Sequence, residues 1–241
     1  MPIDDSQHDV AIHELLGFRL LLDRGSLVDR AIVDTGEWEH EQLDYFTGLI
    51  ERVRGRGRCL FVDVGAYWGL YTLVAHRAAA FDALYAIEAD RHNFAQLQAN
   101  LFLNNASAAV TSVNKAASHD EAPLLFRDSA SHADGNRAGT SVLPYDTTLP
   151  GRQVPATTID ALLQASGAWI LMKIDVEGFE AYVLRGMAQT VGANRVLMQV
   201  EVFDAHKAPA FDEIARLGLR QIHCIYPDYY LTNIPAEELG L

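Results

Sequence analysis

The stretch from Cys59 to Thr72, CLFVDVGAYWGLYT, restricts the fold of this chain more than any other. Cys59 to Val64 is a run of strand-forming residues broken only by Asp63, the pattern of a strand buried on both faces of a parallel sheet. Gly65 and Gly69 give a turn, and Leu70, Leu73 and Val74 follow at helical spacing. A strand that ends in an acid and opens through a glycine loop into a helix aims backbone N–H groups at a ligand over the strand end.

A dinucleotide fingerprint needs three glycines spaced G-x-G-x-x-G, and this chain has Ala66 and Tyr67 there instead. Asp63 would repel a pyrophosphate but suits a cationic ligand, such as the amino and sulfonium groups of S-adenosylmethionine. Leu84 to Ile87 is a second short apolar strand ending in Glu88. That acid lies roughly 20 residues past the loop, where a carboxylate accepts hydrogen bonds from both ribose hydroxyls. Asp90 caps a helix whose Phe94, Leu97 and Leu101 share one face.

The segments DVGAYWGLYT, AIEADRHNFAQLQANL, TTIDALL and KIDVEGFEAYVLRG together resemble the FkbM family of S-adenosylmethionine-dependent methyltransferases, from about Val33 to about Phe203. Lys173 to Glu180, KIDVEGFE, is the most specific piece. The resemblance implies a class I methyltransferase fold: an α/β, Rossmann-like, mostly parallel seven-stranded sheet with an antiparallel C-terminal strand pair. It also implies transfer of a methyl group to a hydroxyl of a sugar, polyketide or similar acceptor. Asp63, Gly65, Ala66, Tyr67, Gly69, Glu88, Ala89, Asn114, Ala116 and Asp175 are then the residues expected around the cofactor. Ala89 and Ala116 would form the adenine wall, and Asn114 would offer a polar group. The chain departs from the family at Tyr67 and Trp68, where Asn and a small apolar residue are common; two bulky side chains there either shape or crowd the methionine end.

Further strands are expected at Val110–Val113, Trp169–Ile174, Arg195–Val200, Leu219–Ile225 and Tyr229–Ile234, with an extra hairpin strand at Leu124–Phe126. Thr157 to Asp160 reads as a capping box, and Gly186 as a helix C-cap. Ligands of open α/β sheets sit beyond the carboxyl ends of the strands, so the acceptor is expected near Asp175, Glu177 and Glu201. A hydroxyl needs a base or a metal to become a good nucleophile. Asp175, Glu177, Glu201 and His206 are the catalytic candidates, and the first three, Asp175 and Glu201 above all, could hold a magnesium ion. Lys173 and Glu180 have structural readings, an ion pair and a first-turn acid. The segment Asp128 to Gly151 reads as a long loop or lid, with His132 and Tyr145 as possible acceptor contacts.

Residues 1–54 read as an amphipathic helical cap, with Ile12, Leu15 and Leu16 and later Leu43, Phe46, Leu49 and Ile50 as stripes, and 55–241 as the methyltransferase domain, the two forming one unit. Trp38 and Glu39 fall in a turn-rich segment between the cap's helices, which the family resemblance would put near the cofactor mouth; the segment reads either as a closure over the ligand or as a surface turn. A formal net charge of -13 argues against a nucleic-acid partner despite the cluster Arg52, Arg54, Arg56 and Arg58. No apolar run reaches the ~20 residues of a membrane span, and the acidic start points to a cytoplasmic protein. Cys59 and Cys224 lack metal-ligand spacing and read as reduced thiols. A homo-oligomer is left open, as are two other readings: an NAD-dependent oxidoreductase and a non-catalytic cofactor-binding module.

Overall fold

A computed structural model describes residues 9–127, 137, 139–142 and 151–239; His132, Tyr145 and most of the expected lid lie outside them. The chain begins with a β-hairpin, β1 (Val10–Leu15) and β2 (Phe18–Asp23). This corrects the helical reading of Ile12, Leu15 and Leu16. Three apolar residues at helical spacing are too few to fix a period, and the governing pattern is the alternation of Phe18, Leu20 and Leu22, all turned into the core. Leu16 and Gly17, with φ of 54° and 74°, make the two-residue turn that this pairing needs. Leu20 and Leu22 are fully buried, each worth about 2 kcal/mol in fastening the hairpin. Helices α1 (Leu27–Thr35) and α2 (His40–Val53) complete the cap, and α2 buries Phe46, Leu49 and Ile50 as the stripe predicts.

The sheet then starts with β3 (Cys59–Val64), α3 (Leu70–Ala78), β4 (Ala83–Ile87), α4 (Arg91–Leu103) and β5 (Val110–Val113). A small accessory region follows. In it β6 (Ala116–Ala117) pairs with β10 (Ala156–Thr157), and β7 (Leu124–Arg127) lies between β8 (Ser141–Val142) and β9 (Arg152–Val154). The chain returns through α5 (Ile159–Leu163), β11 (Trp169–Ile174), α6 (Glu180–Arg185), α7 (Ala188–Ala193), β12 (Arg195–Glu201), α8 (Lys207–Arg216), β13 (Arg220–Ile225), β14 (Asp228–Thr232) and α9 (Ala236–Leu239). The cap of α5 is Thr158, whose hydroxyl accepts from the Ala161 amide; Asp160 instead binds the start of α7 through the Gln189 and Thr190 amides.

The main sheet runs β13-β14-β12-β11-β3-β4-β5. β14 is antiparallel to both its neighbours and the remaining pairs are parallel, so β13 points the same way as the other five strands. β3 and β11 are buried along their whole length. Phe61, Leu171 and Leu197 pack one face under the hairpin, α2, α3 and α4; Val62, Met172 and Met198 pack the other under α5 to α8. No helix among the described residues is long and apolar enough to cross a membrane.

Gly186 has φ -83°, so its requirement is space: an added Cβ would stand 2.0 Å from the Ser118 carbonyl oxygen. Gly192, in α7, has nothing within 4 Å of that position. Gly186→Ala is expected to lose about 2–4 kcal/mol in a denaturant titration, by forcing α6 away from β6. Gly192→Ala should gain about 0.5–1 kcal/mol from helix propensity. Equal effects at the two sites would contradict this packing.

Candidate functional site

The order of the strands reverses between β3 and β11, and an open cavity of about 980 Å³, counting the space at its mouth, lies over their carboxyl ends. Gly65, with φ 80°, lets the two sides meet, because a Cβ there would fall 1.7 Å from the Asp175 carbonyl oxygen. The loop's first amides are taken up by the end of β4. Gly65 and Ala66 both donate to the Ile87 carbonyl, and Tyr67 donates to Glu88 Oε2 at 2.8 Å. Asp63 Oδ2 accepts the Thr72 hydroxyl at 2.6 Å, which ties the strand end to the start of α3.

Glu88 is buried at the end of β4 and held by two backbone donors, Tyr67 N–H and, at 2.7 Å, Asp90 N–H. An ionised carboxylate has about four lone-pair sites, so two remain for ligand hydroxyls. Burial lifts its pKa to about 8, with the two amides opposing the rise. Asp63 is lifted to about 6 by burial, opposed by the Thr72 hydroxyl and the Lys173 charge. The lining is apolar at Ala89, Ala116, Phe126, Val142 and Phe179. It is acidic at Asp63, Asp175, Glu177 and Glu39, and the strand order puts Asp63 and Asp175, at the ends of β3 and β11, across β4 from β5.

Lys173 anchors that acidic side. Its Nζ lies 3.0 Å from Asp175 Oδ2 and 3.8 Å from Asp228 Oδ1, and 4.9 Å from the centre of the Tyr71 ring. Burial works against the ammonium, but Asp175, Asp228 and Glu39 outweigh it and hold its pKa up. Gln199 donates to Asp228 at 2.7 Å, and Tyr71 donates to Glu39 at 2.7 Å. The carboxylates of Asp175, Glu177 and Glu201 converge to within 4.8 Å. Glu177 is lifted to about 7 by burial and by the charges of Asp175 and Glu180; Glu201 is pushed well above the carboxyl range by burial and by Asp175.

Of the expected cofactor residues, Asp63, Gly65, Ala66, Tyr67, Glu88, Ala89, Ala116 and Asp175 line the cavity. Gly69 does not; with φ 94° it begins α3, close against Leu97. Asn114 does not line it either, because its amide donates to the carbonyls of Glu88 at 2.8 Å and Ala89 at 3.3 Å. Among the catalytic candidates Asp175 and Glu177 face the cavity, while Glu201 stands behind Asp175. His206 is exposed and lies outside the lining, with its ring against Gly178.

Tyr67 and Trp68 leave the cavity open. The Tyr67 phenol is drawn toward the cap by Ser26 and Asp29, at 2.8 and 2.9 Å, and Trp68 is buried in the core. Trp38 and Glu39 do line the cavity. Tyr71 and Phe179 lie within the motif segments, whereas Phe126 and Val142 carry no motif signal of their own. Phe126 and Val142 reach the wall only through the accessory strands, a long-range pairing that spacing along the chain does not reveal.

Because Glu177 titrates higher when folded, its contribution to stability is complete below about pH 4.5 and is lost as pH rises through about 7. Glu177→Gln removes that loss. Its stability relative to wild type should therefore increase between pH 5.5 and 8.5, by about 2 kcal/mol, in parallel thermal melts. A pH-independent difference would mean that Glu177 is not buried among acids.

The family model for the methyltransferase FkbM domain matches residues 63–221. No curated protein matches the sequence. Solved structures with a weak likeness include the METTL16 methyltransferase domain, 13% identical over 79% of this chain with a TM-score of 0.43; this chain spans 64% of that one. Human methyltransferase 10 domain containing protein is 12% identical over 81% of each chain, TM-score 0.46. Ribosomal protein L11 methylase from Lactobacillus delbrueckii subsp. bulgaricus is 12% identical over 81% of this chain and 79% of its own, TM-score 0.47. The family match runs from the acid before the cofactor loop into β13, over the strand order described above, and the chain belongs to the FkbM family of methyltransferases.

Proposed function

We propose that this protein uses S-adenosylmethionine to methylate a hydroxyl of a sugar, polyketide or other small-molecule or glycan acceptor. One observation carries the cofactor reading. A single cavity combines an apolar wall, the buried Glu88 carboxylate held by two backbone donors, and four further acids, the groups that adenine, a ribose diol and a cationic methionine end require. A nucleic-acid acceptor fits poorly, because the lining holds five acids against two lysines and the chain carries a formal charge of -13.

When bound, S-adenosylmethionine supplies an electrophilic methyl group on a sulfonium. Glu88 would fix the ribose, and the wall at Ala89, Ala116 and Phe179 would hold the base. Asp63 and Asp175 face the cationic end, with Lys173 fixing the Asp175 carboxylate. Glu177 lines the cavity and its carboxyl makes no hydrogen bond among the described residues, so one of its oxygens can take the acceptor's proton. Glu201 and His206 lie outside the lining, which leaves Glu177 better placed to take that proton. Alignment of the acceptor and exclusion of water supply most of the rate in such a displacement. Lys173 already places a positive charge beside Asp175, and we therefore propose that the reaction needs no divalent metal.

Calorimetric titration tests the reading. Wild type should bind S-adenosylmethionine and ignore NAD, and Glu88→Ala should weaken binding by about 100-fold while keeping a cooperative melt. Retained affinity in Glu88→Ala would remove Glu88 from the site, and preference for NAD would overturn the cofactor. Methyl transfer in an acceptor screen should be equally fast with and without EDTA; loss restored by magnesium would contradict the metal-free reading.

A further inference from the structure

We propose that the acidic end of this cavity selects the cofactor before transfer over the same molecule after transfer, binding cationic S-adenosylmethionine more tightly than neutral-sulfur S-adenosylhomocysteine. The inference rests on the cofactor reading above and adds a property of the site, relief from inhibition by its own product.

The two molecules differ by one methyl group and one positive charge, so the ratio of their affinities reads the field at the sulfur. With the ribose at Glu88 and the base on the wall of Ala89 and Ala116, the 5′ side of the nucleoside runs toward Asp63 and Asp175. The backbones of these two regions touch, at Gly65 and the Asp175 carbonyl. Asp63, Asp175, Glu177 and Glu39 all line the cavity.

The cations available do not neutralise that set. Lys115 and Lys173 are the two in the described lining. Lys173 is already committed, 3.0 Å from Asp175 and 3.8 Å from Asp228, with Glu39 also in its field. Among the described residues Glu177 has no ion pair of its own and its carboxyl accepts no hydrogen bond; Asp175 and Glu180 repel its charge, and the charge of Lys173, which is shared with Asp175 and Asp228, offsets them only in part. Its backbone is held at φ 53°, a left-handed conformation that a non-glycine residue adopts at a cost. A carboxylate only partly compensated, in a partly buried cavity, favours a ligand that brings a positive charge, and a thioether brings none.

The test is calorimetry on wild-type protein with three probes: S-adenosylmethionine, sinefungin, which carries an amine where the S-methyl stood, and S-adenosylhomocysteine. It is run at pH 8, above the value of about 7 to which burial lifts Glu177, and in EDTA so that no divalent ion screens the acids. Both cationic ligands should bind about tenfold tighter than S-adenosylhomocysteine, the effect of one partly screened charge pair. Glu177→Gln should bring the ratio toward one by weakening the cationic ligands, with S-adenosylhomocysteine affinity unchanged as the sign of an intact fold. Equal or tighter binding of S-adenosylhomocysteine to wild type would overturn the inference and leave the cofactor reading standing. Failure of all three probes to bind would overturn both.

Discussion

A buried ammonium group cannot sit in a protein core without partners, and Lys173 fixes much else in this structure for that reason. It lies mid-sheet, in register with Asp63 on β3 and Gln199 on β12, which is itself in register with Tyr230 on β14. The result is a polar row through an otherwise apolar layer, one residue short of the ends of β3 and β11 and two short of the end of β12. Asp175 must therefore turn back over the sheet to meet the lysine, and Asp228 must come from the antiparallel strand to meet it from the other side. The acids of the cavity floor are thus arranged by the needs of a charge beneath them.

A second polar cluster ties the N-terminal cap to the same floor. Asp29, fully buried in α1, accepts from the Tyr67 phenol, the Asp23 amide and Gln96. Arg137 adds an ion pair to Asp23 at 3.1 Å and a hydrogen bond to Gln96 at 2.8 Å. Tyr67 is the link between the layers, since its amide holds Glu88 while its side chain holds the cap. A bulky residue at this point of the glycine loop spares the cavity because a partner outside it draws the phenol away.

The strands and the cofactor loop were legible because their signals are local: continuous apolar runs for β3 and β11, glycines at the turn, and acids at strand ends. Their register then brings Asp63, Glu88 and Asp175 to one cavity as topology requires. The β-hairpin was hidden because Ile12, Leu15 and Leu16 satisfy a helical spacing in a segment too short to test it. Asn114 was misjudged for a different reason: its position at a strand end is visible in sequence, but its side-chain direction is set by two carbonyls of the neighbouring loop. Lys173 looked like an ordinary ion pair because nothing along the chain announces that Asp228, 55 positions later by the numbering, completes its surroundings.

A methyltransferase of this family needs one cavity to hold base, ribose and methionine in a fixed order, and the account stands on Glu88 marking the middle of that order. The most direct measurement is a crystal structure with S-adenosylhomocysteine bound. The account predicts both ribose hydroxyls at about 2.6–3.0 Å from Glu88 oxygens, with adenine against Ala89, Ala116 and Phe179 and sulfur toward Asp63 and Asp175. A nucleoside seated elsewhere, with Glu88 still bonded only to the amides of Tyr67 and Asp90, would contradict it.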